Sequence, residues 1–382
     1  MRFLVGADVP PDPNSGAAGT VYWTNQALRE LGHAVDEIWQ DDLPHRITHG
    51  NLHYLLELPR AYRDAVRLRC TQADYDVIML SQPHAWLAAK DHKVSKRPGV
   101  FLNRSHGVEN MVDDVMHSWS RVFGVRRTSW GKQIPSVLLN RLLRRHFPML
   151  CQYADGIVVG ASDNADYIMK HFRVSQERVK VATHGVNPEF LERPLARECV
   201  DRFRRIMYVG QFAFVKAPHI VASVFSHLAA SHPDVRLTWV CAKEHHASGR
   251  AMLDPAVQSR VQFLDWRSQQ ELIELYDSHG IFLFPSFFEG CGKAPLEAMA
   301  RGCSVVASRV GGMADTIKDH DNGLLVDAGQ TELFMSSVGW LLENPHTARS
   351  LGMQARETVL SASWKNVAQD IADFAVALTD SK

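Results

Sequence analysis

Phe284-Pro285-Ser286-Phe287-Phe288-Glu289-Gly290-Cys291-Gly292-Lys293-Ala294-Pro295-Leu296-Glu297-Ala298-Met299-Ala300 is the stretch around which the chain is organised. It opens where the apolar run Ile281-Phe282-Leu283-Phe284 stops at a proline, which ends a buried strand. Gly290 and Gly292 then form a loop that turns tightly and lets its backbone approach a ligand. Pro295 falls where a first helical turn tolerates it, because the N–H it lacks has no partner there. Leu296 to Arg301 favour helix, and Gly302 is placed to end it. Strand, glycine loop and helix N-terminus together make an anion site, with free N–H groups and the positive end of the helix dipole facing the loop. Glu289 on the loop and Glu297 on the helix flank it. Carboxylates repel phosphate, so these two are better suited to accept hydrogen bonds from hydroxyls. A ligand that carries both phosphate and hydroxyls, such as a nucleotide sugar, meets both demands.

The 382 residues are enough for two domains of ordinary size. The 42 Lys and Arg balance the 42 Asp and Glu, which argues against a global nucleic-acid or membrane field and leaves local patches open. An apolar content of 46% suits a globular α/β protein. Cys70, Cys151, Cys199, Cys241, Cys291 and Cys303 are scattered, with no CxxC pair, and read as reduced thiols of a cytoplasmic protein. The apolar part of Met1-Arg2-Phe3-Leu4-Val5-Gly6-Ala7-Asp8 is too short for a signal peptide and reads as a first strand, and no run reaches a transmembrane length.

Strands and helices alternate on both sides of the opening stretch. Phe3–Val5, a glycine-bearing loop from Pro10 to Gly19, a helix from Thr20 to Leu31 and a strand near Val35–Trp39 form a βαβ unit. Its glycines do not fit GxGxxG, which disfavours a nicotinamide oxidoreductase. Leu52 to Cys70 reads as one helix. Val100–Asn103 is a strand that leads into Arg104-Ser105-His106-Gly107-Val108-Glu109, so His106 stands at a sheet edge; a structural and a functional histidine are equally consistent with that position. Val115 to Ala154 holds no acidic residue but carries Arg121, Arg126, Arg127, Lys132, Arg141, Arg144 and Arg145 with Trp119, Phe123 and Trp130 interleaved. Such a segment can lie on an anionic membrane surface, form a solvated face, or bind an acidic acceptor. Gly185, Pro188 and the charged run from Glu192 to Arg205 predict a domain boundary near 188–202. Lys216 precedes a helix predicted over His219–Ser231, where an ammonium and a helix N-terminus can hold phosphate together; a plain surface lysine is the competing reading. His245-His246 lacks the spacing of a metal site and reads as surface loop. The pattern predicts two Rossmann-like, doubly wound α/β domains facing across a cleft, over 1–190 and 200–362, with a C-terminal helix in 363–382 packing back on the first.

With Glu289 and Glu297 separated by seven residues in Glu289-Gly290-Cys291-Gly292…Leu296-Glu297-Ala298, the chain resembles the retaining GT-B glycosyltransferases of the glycogen-synthase-like and sucrose-synthase-like group, family 4 type, whose signature is E-x7-E. Other landmarks agree in order: Gly16 sixteen residues before Gly32-His33, His106-Gly107-Val108-Glu109, Ala154-Asp155 through Ser162, Gly210 with Lys216, Val310-Gly311-Gly312, and Asn322-Gly323-Leu324-Leu325-Val326. The resemblance implies roles. Glu297 binds the nucleotide ribose and Glu289 the donor sugar. The backbone around Gly290, Cys291, Gly292 and Lys293 holds sugar hydroxyls and phosphate. Lys216 neutralises the leaving diphosphate, His106 contacts the sugar near the reacting carbon, and Gly16 lets the N-terminal loop close on the phosphate. No metal or other cofactor is implied, since cations and a helix dipole do that work. The implied partners are a UDP- or GDP-linked sugar and a glycan, glycolipid or small-molecule acceptor, with peripheral membrane contact through 115–150 and no nucleic acid.

Two departures from the family bear on the site. Gln211 replaces the usual arginine of the leaving-group pocket, and Lys293 replaces an apolar residue, which suggests that Lys293 partly restores the missing charge. His184 stands where asparagine is commoner. A hydrolase or epimerase of nucleotide sugars, or a catalytically silent nucleotide-sugar binder, are the alternatives to transfer; Gln211 argues most for the silent one.

Overall fold

The computed structural model describes residues 1–124, 130–195 and 200–381, with no account of the side chains of 130–136 and 200. It divides into two compact units, Met1–His184 with Trp364–Lys382, and Gly185–Ser363. The first holds β1 (Arg2–Gly6), β2 (Ala34–Ile38), β3 (Val77–Ser81), β4 (Val100–Arg104), β5 (Gly156–Val159) and β6 (Val179–Val181). They form one parallel sheet in the order β2-β1-β3-β4-β5-β6. The two-residue period of a strand sorts its side chains into two cores. Phe3, Val5, Val77, Met79, Val100 and Leu102 face one side, and Leu4, Ile78, Leu80 and Phe101 the other. Helices cover both faces, which is why β3 and β4 read as continuous apolar runs rather than alternating ones.

The helix Trp364–Asp380 completes the first core. Trp364, Val367, Ala368, Ile371, Ala372, Ala375 and Leu378 recur at helical spacing and are buried. A Cβ on Gly156 of β5 would lie 2.6 Å from Leu378 Cδ1, so strand and helix approach closely only because that position is glycine. His184 also has a place here. Its Nε2 is 3.4 Å from Thr20 Oγ1, and its ring lies 5.9 Å from Trp364.

The second unit holds β7 (Arg205–Val209), β8 (Arg236–Val240), β9 (Val261–Leu264), β10 (Ile281–Phe284), β11 (Ser304–Ser308) and β12 (Leu324–Val326). Their order is β12-β11-β10-β7-β8-β9, again all parallel. The doubly wound α/β class expected from the sequence is present in both sheets. Each has one switch point, between β1 and β3 in the first unit and between β7 and β10 in the second, where successive connections run to opposite sides and open a crevice at the strand ends.

Two local features differ from the sequence reading. The predicted boundary near 188–202 falls inside the second unit, which begins at Gly185. Phe190 is fully buried there, and the buried Arg301 guanidinium donates to the carbonyls of Phe190, Arg193 and Pro194. Backbone carbonyls as partners leave no side-chain signature, so the tether was not legible. The helix read over Leu52–Cys70 starts at Gly50 and is interrupted by a π-helical turn, His53–Glu57, before continuing as Leu58–Cys70.

Candidate functional site

The crevice of the second unit is built by the loops after β7 and β10. The loop after β7 ends in the turn Phe214–Lys216, ahead of the helix Pro218–Ser231. The loop after β10 carries Glu289 to Gly292 into the helix Lys293–Ala300. Phe287 N–H donates to Val215 O at 2.8 Å, and the Phe214 and Phe287 rings meet at 5.1 Å, so the two loops are joined. Across this seam the Lys216 ammonium donates to Glu289 Oε1. Glu289 is buried and Lys216 partly so, and their charges are worth more to each other than at a surface.

The glycines of the opening stretch have geometric reasons. Gly292 caps the Lys293–Ala300 helix at φ +88°, and Gly302 follows its end at φ +69°. The loop is also pinned from below. Gly312 N–H donates to Gly290 O at 3.2 Å, and a Cβ on Gly312 would stand 2.5 Å from Cys291 O. At Gly311 a Cβ would collide with Glu289 O. The Val310-Gly311-Gly312 segment therefore sets the height of the Glu289–Cys291 backbone.

Glu297 lies one turn into the helix, 5% exposed. Lys293 Nζ is 3.7 Å from its Oε1, and the Tyr276 hydroxyl is 3.4 Å from its Oε2. Burial raises the Glu297 carboxyl, while Lys293 and Tyr276 pull it back down. Each glutamate of the pair thus has its own lysine, an arrangement that the seven-residue spacing does not reveal. Gln211 lies exposed at the start of the β7 loop. Lys293 is the first residue of the helix, as expected, but its ammonium is turned toward Glu297.

Sequence reasoning missed Tyr276, Ser286 and Ser308. Tyr276 is buried in a helix and reads as core. Ser286 and Ser308 are fully buried where β10 and β11 end, and neither hydroxyl has a hydrogen-bonding partner among the described residues. Ser286 directly follows the strand-ending Pro285, and that position was the available signal.

Gly16 and His106 lie in the first unit. Gly16 precedes the helix Ala17–Glu30, and nothing stands within 4 Å of the Cβ it lacks, so the fold itself does not require glycine there. His106 follows β4. Its Nε2 is enclosed without a hydrogen-bonding partner among the described residues, and burial, with Arg104 nearby, pushes its imidazole down to about 3. Glu109 opens the helix Glu109–Val122, and burial pushes its carboxyl up to about 8.

In the basic, aromatic segment Arg144 pairs with Asp113 and Asp114 at 3.7 and 2.8 Å, so part of its charge is neutralised from the preceding helix. Arg126 and Arg127, the side chains of Trp130 and Lys132, and Cys199 lie outside the described residues. His245 stacks on Phe212 and the His246 ring nitrogen meets Cys241 O at 3.1 Å, so both pack rather than cluster. Among the described residues, no helix is long and apolar enough to cross a membrane.

Three comparisons place this geometry. Residues 199–358 match the family model "Glycosyl transferases group 1". A D-inositol 3-phosphate glycosyltransferase of Corynebacterium glutamicum is 27% identical over 242 residues, covering 59% of this chain and 58% of the relative. Sucrose-phosphate synthase from Thermosynechococcus elongatus superimposes over 100% of both chains with a TM-score of 0.76 at 18% identity. Anabaena HepE, solved in complex with UDP and glucose, covers 97% of this chain and 98% of its own with a TM-score of 0.67 at 15% identity. Residues 199–358 thus match the group 1 glycosyl transferases, in a chain of GT-B fold.

Proposed function

We propose that this protein is a retaining glycosyltransferase that moves a hexosyl unit from a nucleoside-diphosphate sugar to an acceptor hydroxyl. One observation carries the reading: two buried glutamates, each matched to a lysine, bracket the N-terminal turn of the Lys293–Ala300 helix. Phosphate between them meets helix N–H groups and two ammonium groups, and hydroxyls at either end meet carboxylates. Glu289 holds donor-sugar hydroxyls, Glu297 the ribose, the Gly290–Gly292 backbone the phosphate, and Lys216 the charge that develops on the leaving diphosphate. The UDP and glucose in the HepE structure favour a uridine donor, and in this reading the lysines and the helix N-terminus do the work of a metal.

The test is release of UDP or GDP from a donor panel, with and without acceptors and with EDTA throughout. Release that depends on acceptor, with the product's anomeric configuration retained by NMR, is the expected result. Release without acceptor marks a hydrolase. Gln211, lacking the charge of arginine, favours a silent binder as the second reading, and binding without turnover would establish it.

Lys293 decides between a site short of charge and one that has compensated. Lys293→Ala is expected to weaken UDP binding about tenfold or more, as for a charge-assisted hydrogen bond of roughly 1.5–3 kcal/mol. Calorimetric titration reads this directly, and an unchanged affinity removes Lys293 from the diphosphate site.

In this reading the basic segment over 115–150 also makes peripheral contact with an anionic membrane, at its cytoplasmic face. Val122, Val137 and Leu138 are exposed in the same basic segment that holds Arg121 and Arg141. The protein is expected to pellet with phosphatidylserine vesicles at low salt and to leave them at high salt. Protein that stays in the supernatant at low salt excludes this surface.

A further inference from the structure

The turn that carries Lys216 is fixed at its backbone. Lys216 N–H donates to Ala213 O at 2.9 Å, and the buried Tyr208 hydroxyl of β7 donates to Lys216 O at 3.3 Å. The next residue, Ala217, stands at φ +50° and ψ +52°, the left-handed region that a residue with a Cβ disfavours. Ala217 is fully buried, and its carbonyl accepts from the N–H groups of Ile220 and Val221 at 3.0 and 3.3 Å, so the helix that follows sustains the strain. From this turn the Lys216 ammonium lies 5.7 Å from the centre of the Phe284 ring and donates to Glu289 Oε1.

Glu289 is fixed from its own side. A Cβ on Gly311 would collide with Glu289 O, and Gly312 N–H holds Gly290 O at 3.2 Å. β7 and β10 are neighbours in the sheet, and the Phe287–Val215 hydrogen bond closes the seam between their loops. The Lys216–Glu289 ion pair is therefore set by two constrained backbones, not by a chance side-chain rotation.

This pairing bears on which ligand the crevice favours. Each lysine that faces the phosphate already carries a carboxylate, Lys216 that of Glu289 and Lys293 that of Glu297. The Glu297 pair cannot discriminate, because a nucleoside diphosphate and its sugar ester present the same ribose. The Glu289 pair can. The sugar ester brings hydroxyls that donate to Glu289, so the carboxylate keeps partners while Lys216 turns to phosphate. The free diphosphate brings no hydroxyl to that place and one more negative charge, so two anions compete for one ammonium.

We propose that the Lys216–Glu289 pair makes the crevice favour the nucleotide sugar over the nucleoside diphosphate left after transfer, and so speeds product release. The inference rests on the reading of this crevice as the donor site. In that reading the C–O bond to the sugar breaks with its electron pair on the phosphate oxygen, and the sugar carries its hydroxyls away. Glu289 loses its donors as the diphosphate gains charge, and it takes Lys216 back.

The test is calorimetric titration of the full chain and of Glu289→Gln with UMP, UDP and UDP-glucose, and with GMP, GDP and GDP-glucose in parallel. Glu289→Gln removes one charge at nearly constant shape. It is expected to tighten the diphosphate at least fivefold and the sugar ester less than twofold. Displacement of a fluorescent diphosphate analogue is expected to be at least fivefold slower from the variant. Monophosphate affinity within twofold of wild type shows that the variant is folded. If Glu289→Gln loses the monophosphate as well, Glu289→Asp, which draws the carboxylate back from Lys216, carries the test, with the diphosphate tightened at least twofold. Binding retained with the preference between diphosphate and sugar ester unchanged overturns the proposal and leaves the donor site standing. Failure of both nucleotide series to bind the wild type defeats the donor-site reading itself, and the proposal with it.

Discussion

Lys216→Ala is expected to lower kcat about 10²–10³-fold, the loss typical when one preorganised charge aimed at a developing anion is removed. The leaving diphosphate gains charge as the glycosidic bond breaks, so the ammonium counts for more in the transition state than in the ground state. UDP-sugar binding should therefore weaken less than turnover, and steady-state kinetics with calorimetric binding separate the two. The same variant also disturbs the fold, because Glu289 is buried and loses the lysine that neutralises it. The double variant Lys216→Ala with Glu289→Gln distinguishes the effects: it should recover part of the lost Tm and none of the lost rate. A kcat for Lys216→Ala within fivefold of wild type would place the leaving-group charge elsewhere.

Acid should unfold this protein early. Burial pushes His84 and His106 down to about 3, and His146 and His279 down to about 4, from an ordinary value of 6.5. All four are favoured neutral in the native state. Below pH 6.5 the unfolded chain takes up their protons and the native state does not, so this stability is present above pH 6.5 and is lost as pH falls. Glu109 works in the opposite direction. Its native value of about 8 exceeds the ordinary 4.5, so the native state holds that proton and gains stability as pH falls from 8 toward 4.5. The histidines outnumber it, and the net loss between pH 6.5 and 5 is roughly 5 kcal/mol, since each net proton is worth about 1.4 kcal/mol per pH unit and the unfolded histidines are only half protonated at pH 6.5. That equals the whole stability of many domains. Urea titrations at pH 7, 6 and 5 should show the midpoint falling steeply, with about three protons taken up on unfolding near pH 5.5. A midpoint that is flat over this range would mean that these histidines are solvated in the native state.

The sequence by itself determined the class of fold and the address of the nucleotide crevice. Both are local properties. An apolar run ended by Pro285, two glycines and a helix start specify a strand–loop–helix wherever the segment folds, and alternation repeated along the chain leaves a doubly wound sheet as the natural packing. Glu289, Glu297 and Lys216 were legible for the same reason, because each is fixed relative to a strand end. Gly311 and Gly312 were visible as a motif, but the carbonyls they pack under were not.

Tertiary structure alone decided how the charges are shared. Lys216 meets Glu289 from 73 positions away, whereas Lys293 and Glu297, four apart on one helix, are a local pair. Tyr276 reaches Glu297, and Arg301 ties residues 190–194 into the second unit. The physical reason is common to these long-range contacts. Which strand follows which is written in local pattern, but which strand lies beside which is settled by how the whole sheet buries its two faces, and charge pairs and crevices belong to that second question.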